Sequence, residues 1–230
     1  MSRLRTIYEA ADQENRREIL RAAPPRPGAR LLDLGCARGE WTTELGRHIG
    51  TDDLHGFELI EEFAERARAR GIDATIGSLA DPLPYPDGHF DVVHSNQVIE
   101  HLANTDLFLH EMRRVLAPDG YAVLSTNNVA SWHNVVSLAL GWQPPPMHVS
   151  DELIVGNPAN VAEGQPGAYG QMHLRLFTHR AMAALAAHHG LRLEERGASG
   201  YYPLPSRPSR FMARIDGRHA AYLVHRYVAA

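Results

Sequence analysis

The segment LLDLGCARGEWT, residues 31–42, decides how this chain folds. It opens as a buried strand and then breaks at Gly35, Ala37 and Gly39, just before a helical stretch. A tight turn needs only one glycine, because one residue without a Cβ atom is enough to reach positive φ. Two glycines with a small residue between them therefore predict that something lies against the backbone at this point.

Strands and helices alternate on either side of this segment. The predicted strands cover residues 30–34, 54–59, 73–77, 90–96, 121–126, 191–199 and 220–229. The predicted helices cover residues 12–23, 41–49, 60–70, 106–116 and 179–189, the last of them between an N-cap Thr178 and a terminating Gly190. This alternation indicates βαβ units, whose crossovers are right-handed. We therefore expect an α/β fold with a doubly wound, mostly parallel, seven-stranded, Rossmann-like sheet.

The length of 230 residues suffices for one core, so we expect one domain over residues 1–230. Residues 1–28 are expected to form an N-terminal helical segment. The alternation stops after Asn128, and residues 129–172 are rich in proline, glycine and asparagine. A segment of this length is usually a functional lid or disordered. Its aromatic residues favour an ordered lid that selects the substrate; they are Trp132, Trp142 and Tyr169.

Composition and charge limit the classes of partner that we expect for this chain. The formal net charge of −4 provides no basic field, so we expect neither nucleic acid nor membrane as a partner. The charged N-terminal stretch lacks a signal-peptide core, and no apolar run approaches the roughly 20 residues of a membrane span. The single cysteine, Cys36, allows no internal disulfide and fits a reducing compartment. We expect a cytoplasmic protein, and the composition leaves the oligomeric state open.

Two acidic residues stand where ligands bind in open α/β sheets, at the carboxyl ends of strands. Asp33 precedes the turn and Glu58 ends the second strand. The turn has G-x-A-x-G spacing, not the G-x-G-x-x-G of dinucleotide sites, and Asp33 would repel a phosphate but attract a cationic head group. Glu58 can accept both hydroxyls of a ribose. The alternatives are that Asp33 only caps the helix and that Glu58 is a surface acid. A cationic amino-acid head with a ribose describes S-adenosylmethionine.

Longer motifs carry a family resemblance. They are LLDLGCARGEW (residues 31–41), GFEL (56–59), GSLADPLPYPDGHFDVVHSNQVIEHL (77–102), LHEMRRVLAPDGYAVLSTNN (109–128) and HLRLFTHRAMAALAAHHGL (173–191). In order and spacing, the chain resembles class I S-adenosylmethionine-dependent methyltransferases over roughly residues 31–128 and again towards the C-terminus. The family usually has glycine where Ala37 stands. It often has an acid at the end of strand three, where this chain has Ser78 and Leu79.

The resemblance implies a role for each matching residue. Asp33 and the turn backbone would hold the methionine moiety, Glu58 the ribose, and Asn96 the amino-acid end. Leu59 would pack on the adenine, unless it is simply a core residue. The full set of predicted cofactor-binding residues is Tyr8, Asp33, Gly35, Cys36, Ala37, Gly39, Glu58, Leu59, Ser78, Leu79, Asn96 and Gln97.

Methyl transfer is an in-line displacement, so the protein mainly has to align the reacting groups. An oxygen nucleophile usually also needs a base, and histidine suits that role near neutral pH. His101 follows the fourth strand at the ligand-facing edge and is the first candidate, although it can instead only shape the pocket. His148 and His173 flank the predicted lid and are further candidates. The sequence shows no close set of residues with metal-ligand spacing, so no metal is expected.

Three functional hypotheses follow. The first is an enzyme that methylates a small molecule, with oxygen the favoured acceptor atom. The second is a non-catalytic or partner-dependent protein of the same fold, since STNNVASWHNVVSLALGWQPP (residues 125–145) and HLRLFT (173–178) faintly resemble the MetW-type branch of the family. The third is a nucleotide-dependent oxidoreductase, which the missing third glycine and Asp33 disfavour. Nucleic-acid methylation is disfavoured by the charge and because strand four ends in SNQV instead of the D/N-P-P-aromatic motif.

Overall fold

Seven strands form one sheet in the order β3-β2-β1-β4-β5-β7-β6. The computed structural model describes residues 3–160, 162, 164, 165 and 172–230, and the side chains of residues 3–6 and 8 lie outside the described set. The strands are β1 (Leu31–Leu34), β2 (Leu54–Glu58), β3 (Asp73–Ile76), β4 (Phe90–Asn96), β5 (Leu116–Asn127), β6 (Leu191–Ser199) and β7 (Tyr222–Ala229). The first five run parallel to one another, and β7 is antiparallel to both of its neighbours. This confirms the predicted doubly wound, mostly parallel sheet.

Helices cover both faces of the sheet. They are α1 (Arg3–Ala22), α2 (Glu40–Ile49), α3 (Glu61–Arg68), α4 (Thr105–Val115), α5 (Trp132–Ala139), α6 (His179–His188) and α7 (Ser206–Ile215), with 3₁₀ turns at Ile99–His101 and Gly217–His219. None of the described helices has both the length and the apolar character needed to cross a membrane.

The alternation of β1 distributes its side chains between two cores. Leu32 and Leu34 join a buried cluster that includes Phe108 and Met112 of α4. Leu31 points to the opposite face, where it joins a cluster that includes Ile19 of α1. Asp33 shares the face of Leu31, because side chains two residues apart in a strand point the same way. A single acid is thereby placed among apolar neighbours under the end of the strand.

Chain topology positions the site. The strand order reverses between β1 and β4, which lie side by side in the sheet. In open α/β sheets, ligands bind outside the carboxyl ends of the strands at such a switch point. The residues that follow β1 and β4 therefore share one edge of the sheet, together with those that follow β2 and β5.

Several predicted boundaries of helices and strands were wrong. The N-terminal helix begins at Arg3, well before the predicted residue 12, and β5 begins at Leu116, before the predicted start at residue 121. The added residues include Pro118, Asp119 and Gly120, and the pairing of this strand with β4 shifts register between Phe90 and Val92. Helix α5 and helix α7 were not predicted. Thr178 is the N-cap of α6 as expected, and its side chain accepts a hydrogen bond from the Ala181 backbone.

Candidate active site

The glycine-rich turn joins β1 to α2 at the carboxyl edge of the sheet. Gly35, Ala37 and Gly39 have φ values of 82°, 46° and 79°, in the left-handed region that favours glycine. A Cβ atom on Gly35 would lie 2.5 Å from Cγ2 of Val98, and one on Gly39 would lie 2.5 Å from Cδ1 of Ile72. Something does lie against this backbone, as the sequence predicted, but at both glycines it is a protein side chain. Positive φ and close packing alone require these glycines.

Asp33 is buried beneath the turn and bonded within the protein. Its Oδ2 atom accepts a hydrogen bond from Oγ1 of Thr42 at 2.5 Å, and its Oδ1 atom lies 2.7 Å from Nδ1 of His94. Trp41 donates through Nε1 to Nε2 of His94 at 3.3 Å. Nε2 of His94 therefore carries the lone pair, and its Nδ1–H group donates to Asp33. The carboxylate fastens α2 to β1 and β4. Its predicted contact with a cofactor stays a prediction.

Glu58 ends β2 and connects two loops of the site. Its Oε2 atom accepts from the backbone N–H of Ala37 at 2.9 Å, and its Oε1 atom accepts from the backbone N–H groups of Leu59 and Ile60, both at 2.9 Å. A carboxylate offers about four acceptor positions, so these three bonds leave room for a ligand hydroxyl. The same bonds hold the non-glycine residue Ala37 in its left-handed conformation.

The predicted adenine-binding residues come from the ends of β2 and β3. Leu59 is 66% exposed although it is a large apolar residue. The Gly77 backbone N–H donates to the Glu58 carbonyl at 2.9 Å, which brings the loop with Ser78 beside the end of β2. Oγ of Ser78 accepts a bond from its own loop, at Ala80, and the side chain of Leu79 packs against the core. Tyr8, the remaining predicted residue in this group, has a side chain outside the described residues.

Gln97 follows β4 and has a polar side chain at the catalytic edge. It has a φ of 55°, and its side-chain Nε2 is buried with no hydrogen-bond partner among the described residues. Leaving a buried donor unpaired costs about 1–3 kcal/mol. An acceptor oxygen from a ligand would remove that cost. The predicted contact of Gln97 with a cofactor stays a prediction.

The N-terminal helix is bonded to the end of the neighbouring strand. Asn96, the last residue of β4, accepts a hydrogen bond at Oδ1 from Nδ2 of Asn15 at 3.0 Å. Asn15 is buried in α1, and its Oδ1 atom accepts from Oγ of Ser125 in β5 at 3.0 Å. The Oδ1 atom of Asn96 is thus used within the protein, and its predicted contact with the cofactor, through the backbone or the side-chain amide N–H groups, stays a prediction. Sequence analysis missed Asn15, a polar residue among the apolar positions of a helix.

The three predicted catalytic histidines come together in the fold. The ring centroids of His101 and His173 are 4.8 Å apart, and those of His148 and His173 are 4.9 Å apart. The backbone N–H of His173 also donates to Nδ1 of His148 at 3.0 Å. We call these three residues the histidine cluster. It lies at the carboxyl edge of the sheet, because His101 ends the 3₁₀ turn that follows β4.

Two rings of the cluster have one tautomer each. Nδ1 of His101 lies 3.2 Å from the Met172 carbonyl, and Nδ1 of His173 lies 2.9 Å from the Pro146 carbonyl. A carbonyl only accepts hydrogen bonds, so both Nδ1 atoms carry protons and both Nε2 atoms carry lone pairs. Burial lowers the pKa of His101 and lowers the pKa of His173 to about 4. Both rings are therefore neutral at pH 7 and present a basic nitrogen.

Glu100 supports the cluster and was not identified from the sequence. It is fully buried, and its carboxylate accepts from Oγ1 of Thr126 at 2.7 Å and Nδ2 of Asn127 at 3.3 Å. Burial raises its pKa to about 7. Its backbone carbonyl accepts from the N–H groups of Leu174 and Arg175. Glu100 thus joins the end of β5 to the chain that returns after the irregular segment. Two adjacent polar residues at the end of β5 were the only signal in the sequence.

Glu100, His101 and His173 also form a group of metal-ligand type. Their donor atoms all lie within 4.8 Å of one another, a set that the sequence could not reveal because His173 is far along the chain from the adjacent Glu100 and His101. Ligands around a tetrahedral Zn²⁺ with bonds of about 2.0–2.1 Å lie closer together, at about 3.3 Å. Both Glu100 oxygens already accept hydrogen bonds. We therefore interpret the group as a polar cluster held by hydrogen bonds.

Cys36 faces the core instead of the ligand edge. Its side chain packs with Ala64 and Ala67 of α3, and a Cβ atom on Gly56 would lie only 2.5 Å from its Sγ atom. Burial raises the pKa of the thiol to about 12, so it stays protonated and is not a nucleophile at neutral pH. The predicted cofactor contact of Cys36 is consequently restricted to its backbone.

Comparison with known proteins identifies relatives of this arrangement. A family profile described as a methyltransferase domain matches residues 7–196. The chain is 32% identical over 160 residues to a ubiquinone biosynthesis O-methyltransferase of Azorhizobium caulinodans, covering 65% of this chain and 61% of the relative. It is 30% identical over 128 residues to a malonyl-[acyl-carrier protein] O-methyltransferase of Erwinia billingiae, covering 55% and 49%.

The matched parts span between 14% and 61% of the curated relatives' own length. Solved structures match over nearly the whole chain. A methyltransferase of Thermotoga maritima, described as a possible histamine N-methyltransferase, gives a TM-score of 0.64 at 18% identity, covering 98% of this chain and 92% of that one. A putative S-adenosylmethionine-dependent methyltransferase of Listeria monocytogenes gives 0.64 at 16% identity, with 96% and 98% covered. At these identities the structures establish the shared fold.

Proposed function

We propose that this chain, which belongs to the family of class I S-adenosylmethionine-dependent methyltransferases, transfers a methyl group from that cofactor to a hydroxyl group of a small molecule. The observation that carries the proposal is the histidine cluster, which gathers three separately predicted residues at the edge where Gln97 has an unpaired buried donor. The two O-methyltransferases among the relatives support an oxygen acceptor.

The residues at this edge fit the cofactor. Glu58 has an acceptor position left for the ribose hydroxyls, and Leu59 presents an exposed apolar side chain to the adenine. Gln97 can donate to the carboxylate of the methionine moiety, and the turn at Gly35 opens the N-terminus of α2 beside it. When bound, S-adenosylmethionine supplies an electrophilic methyl group on a positively charged sulfur. The other predicted contacts, by Asp33 and Ser78 among them, belong to the same proposal.

We expect Glu58→Ala to weaken binding of S-adenosylmethionine about 10- to 100-fold, because a hydrogen bond to a charged group contributes roughly 1.5–3 kcal/mol. Calorimetric titration with S-adenosylmethionine, S-adenosylhomocysteine and NAD measures the change. Glu61→Ala, which removes an exposed carboxylate three residues away, is the matched control and should bind as the wild type does. Wild-type affinity in Glu58→Ala would contradict the ribose assignment, and binding of NAD instead would favour an oxidoreductase.

His101 is the proposed base. Its Nδ1 proton is held by the Met172 carbonyl, so the lone pair on Nε2 is available to accept the proton of an acceptor hydroxyl. Loss of that proton as the oxygen attacks avoids a positively charged product oxygen. His173 and His148 line the same cluster and position the ring of His101. The protein's other contribution is alignment, which can supply roughly 7–11 kcal/mol of a reaction barrier.

Residues 129–172 are proposed as the lid that selects the acceptor and excludes water. The segment starts with α5. Its middle part is joined to the catalytic edge, because the Pro146 carbonyl and Nδ1 of His148 accept hydrogen bonds from His173. The lid thus contributes a histidine of the cluster directly. Changes in its length or sequence are expected to alter acceptor choice before they alter cofactor affinity.

The pH dependence of kcat/KM should show whether His101 acts as a neutral base. Burial lowers the pKa of His101 below its usual value near 6.5, and the titratable groups around it are His148, His173 and Glu100. Since only the unprotonated ring accepts a proton, the acid limb that His101 contributes to kcat/KM should lie below pH 6.5. Glu100, with a pKa of about 7, titrates separately above that limb. Rates measured from pH 5 to 9 in constant ionic strength test this. An acid limb centred above pH 7 would contradict His101 as the base.

Turnover without a partner tests the function as a whole. The purified chain is incubated with S-adenosylmethionine and a panel of phenols, aliphatic alcohols, carboxylic acids and amines, and S-adenosylhomocysteine is measured. Methylation of a hydroxyl compound by the chain alone supports the proposal. Cofactor binding without turnover of any compound would favour the partner-dependent alternative, and preferred methylation of amines would refute the oxygen acceptor.

A further inference from the structure

Helix α7 presents an unusual face to solvent. Its exposed positions are spaced three or four residues apart and continue into the following 3₁₀ turn; they are Arg207, Arg210, Phe211, Arg214, Ile215 and Arg218. Phe211 and Ile215 are both 63% exposed. We call these six residues the α7 stripe. A face turned to water that combines two large apolar side chains with four arginines is expected to be covered by something of matching chemistry.

The protein itself satisfies only the opposite face of this helix. Ser209 is buried and donates through Oγ to Oε2 of Glu14 in α1 at 2.8 Å. Ala213 is buried in a small cluster with Tyr201 and Ala220. Met212 is partly buried against the same cluster, whereas Phe211 and Ile215 face solvent. Among the residues that the structure describes, packing gives no reason for the exposed positions of Phe211 and Ile215.

Most of the positive charge of the stripe has no ion-pair partner among the described residues. In the part of the chain that the structure describes, Arg207, Arg210 and Arg214 form no ion pair. The nearby acid, Asp216, accepts from Oη of Tyr201 at 2.7 Å and from Nε1 of Trp132 at 2.9 Å. It is also 3.6 Å from Arg218, which it neutralises in part. The overall charge of −4 therefore conceals a local cationic surface.

Features beside the stripe extend the same chemistry. Trp132 at the start of α5 is 43% exposed, and its ring lies 4.5 Å from that of His219. A cleft of about 310 Å³ opens at the end of α7, and its lining includes Ile215, the acid Asp216 and two exposed arginines, Arg196 and Arg218. Guanidinium groups bind phosphate oxygens in pairs. The two arginines outnumber the one carboxylate, so the cleft keeps a net positive charge beside an apolar side chain.

The chain enters helix α7 at the sheet edge that holds the histidine cluster. Strand β6 is antiparallel to β7, which is antiparallel to β5, so β6 and β5 run in the same direction. The end of β6, which leads into α7, is therefore at the same sheet edge as the histidine cluster. Asn15 bridges the two regions, because its Oδ1 accepts from Ser199 and its Nδ2 donates to Asn96.

We propose that the α7 stripe docks this protein on the surface of a bilayer that contains anionic phospholipids. The phosphates would neutralise the arginines, Phe211 and Ile215 would enter the interface between head groups and acyl chains, and the arginine stems would lie along that interface. The catalytic edge then lies close to the membrane, where an apolar acceptor would be concentrated. This inference concerns binding only and does not depend on methyl transfer.

Vesicle sedimentation with the full chain tests the docking. We expect binding to vesicles of phosphatidylcholine with phosphatidylglycerol at least about tenfold stronger than to phosphatidylcholine alone, and weakened by salt. Arg207→Gln/Arg210→Gln/Arg214→Gln should weaken it about 100-fold. Phe211→Ser/Ile215→Ser should weaken it about tenfold. The matched control is Arg47→Gln/Arg180→Gln/Arg192→Gln, which removes the same charge from exposed arginines elsewhere and should bind like wild type.

Circular-dichroism melting first establishes that each variant is folded. Three outcomes overturn the proposal. Equal loss in the control variant would show a general charge effect. If the chain does not bind vesicles, and light scattering shows a dimer that Phe211→Ser/Ile215→Ser converts to a monomer, the stripe is a contact between copies of the chain. If the chain does not bind vesicles but binds labelled RNA, and the triple arginine variant does not bind that RNA, the stripe is a nucleic-acid surface.

Discussion

His101→Ala lowers kcat about 10²- to 10⁴-fold and leaves the affinity for S-adenosylmethionine within about threefold of wild type; this is the expected result if His101 is the base. The variant removes the Nε2 lone pair that the Met172 carbonyl keeps available through Nδ1. The stability cost should be small, because His101 is only half-buried and makes one hydrogen bond, to a backbone carbonyl.

The measurement uses the best acceptor from the panel, at saturating acceptor and cofactor. His110→Ala is the control, since His110 is an exposed histidine on α4 and should leave kcat unchanged. His173→Asn separates positioning from proton transfer, because it should lower kcat less than His101→Ala and leave the acid limb in place. A kcat within about threefold of wild type in His101→Ala would show that the histidine only shapes the pocket.

Asp33→Ala is expected to lower the free energy of unfolding by about 2–6 kcal/mol. The substitution leaves two buried donors without an acceptor, the hydroxyl of Thr42 and the Nδ1–H group of His94, and each unpaired buried donor costs about 1–3 kcal/mol. His94 cannot escape by changing tautomer, because Nε2 is needed as the acceptor for Trp41. The variant should also bind cofactor weakly, since it loses the hydrogen bonds that join α2 and β4 to β1.

Urea unfolding of both proteins, followed by circular dichroism, measures the difference. Asp52→Ala removes an exposed acid from the loop before β2 and should change stability by no more than about 0.5 kcal/mol. Thr42→Val with Asp33→Ala removes both partners of one hydrogen bond and should recover part of the loss. A destabilisation below 1 kcal/mol would mean that Asp33 is not the structural centre described above. Any loss of cofactor affinity would then report direct binding.

Local sequence was enough to predict the sheet and to place two acids at the ends of its strands. Strand β4 was predicted with both of its ends correct, and Asp33 and Glu58 were placed at strand ends by their position alone. These predictions succeed because burial of β-strands and the exposure of their carboxyl ends follow from a few neighbouring residues. The same local pattern predicted Gln97, whose unpaired donor the structure then revealed.

Helix α7 shows why the spacing of apolar residues failed to predict some of the helices. Sequence methods expect large apolar residues on the buried face of a helix. In α7 the buried residues are Ser209 and Ala213, while Phe211 and Ile215 face solvent. The apolar pattern therefore points to the wrong face. Helix α5 was hidden for a similar reason, since several of its apolar side chains are exposed.

By itself, the sequence determined the α/β fold, the family, the glycine-rich turn and the two acids at the strand ends. Only the tertiary structure decided that His101, His148 and His173 form one cluster, that Glu100 holds it in place, and that four arginines share a face with Phe211 and Ile215. The physical reason is the range of the interactions. Strand burial and turn conformation are set by near neighbours, whereas a cluster drawn from β4 and the returning lid exists only after the sheet has brought distant segments to one edge.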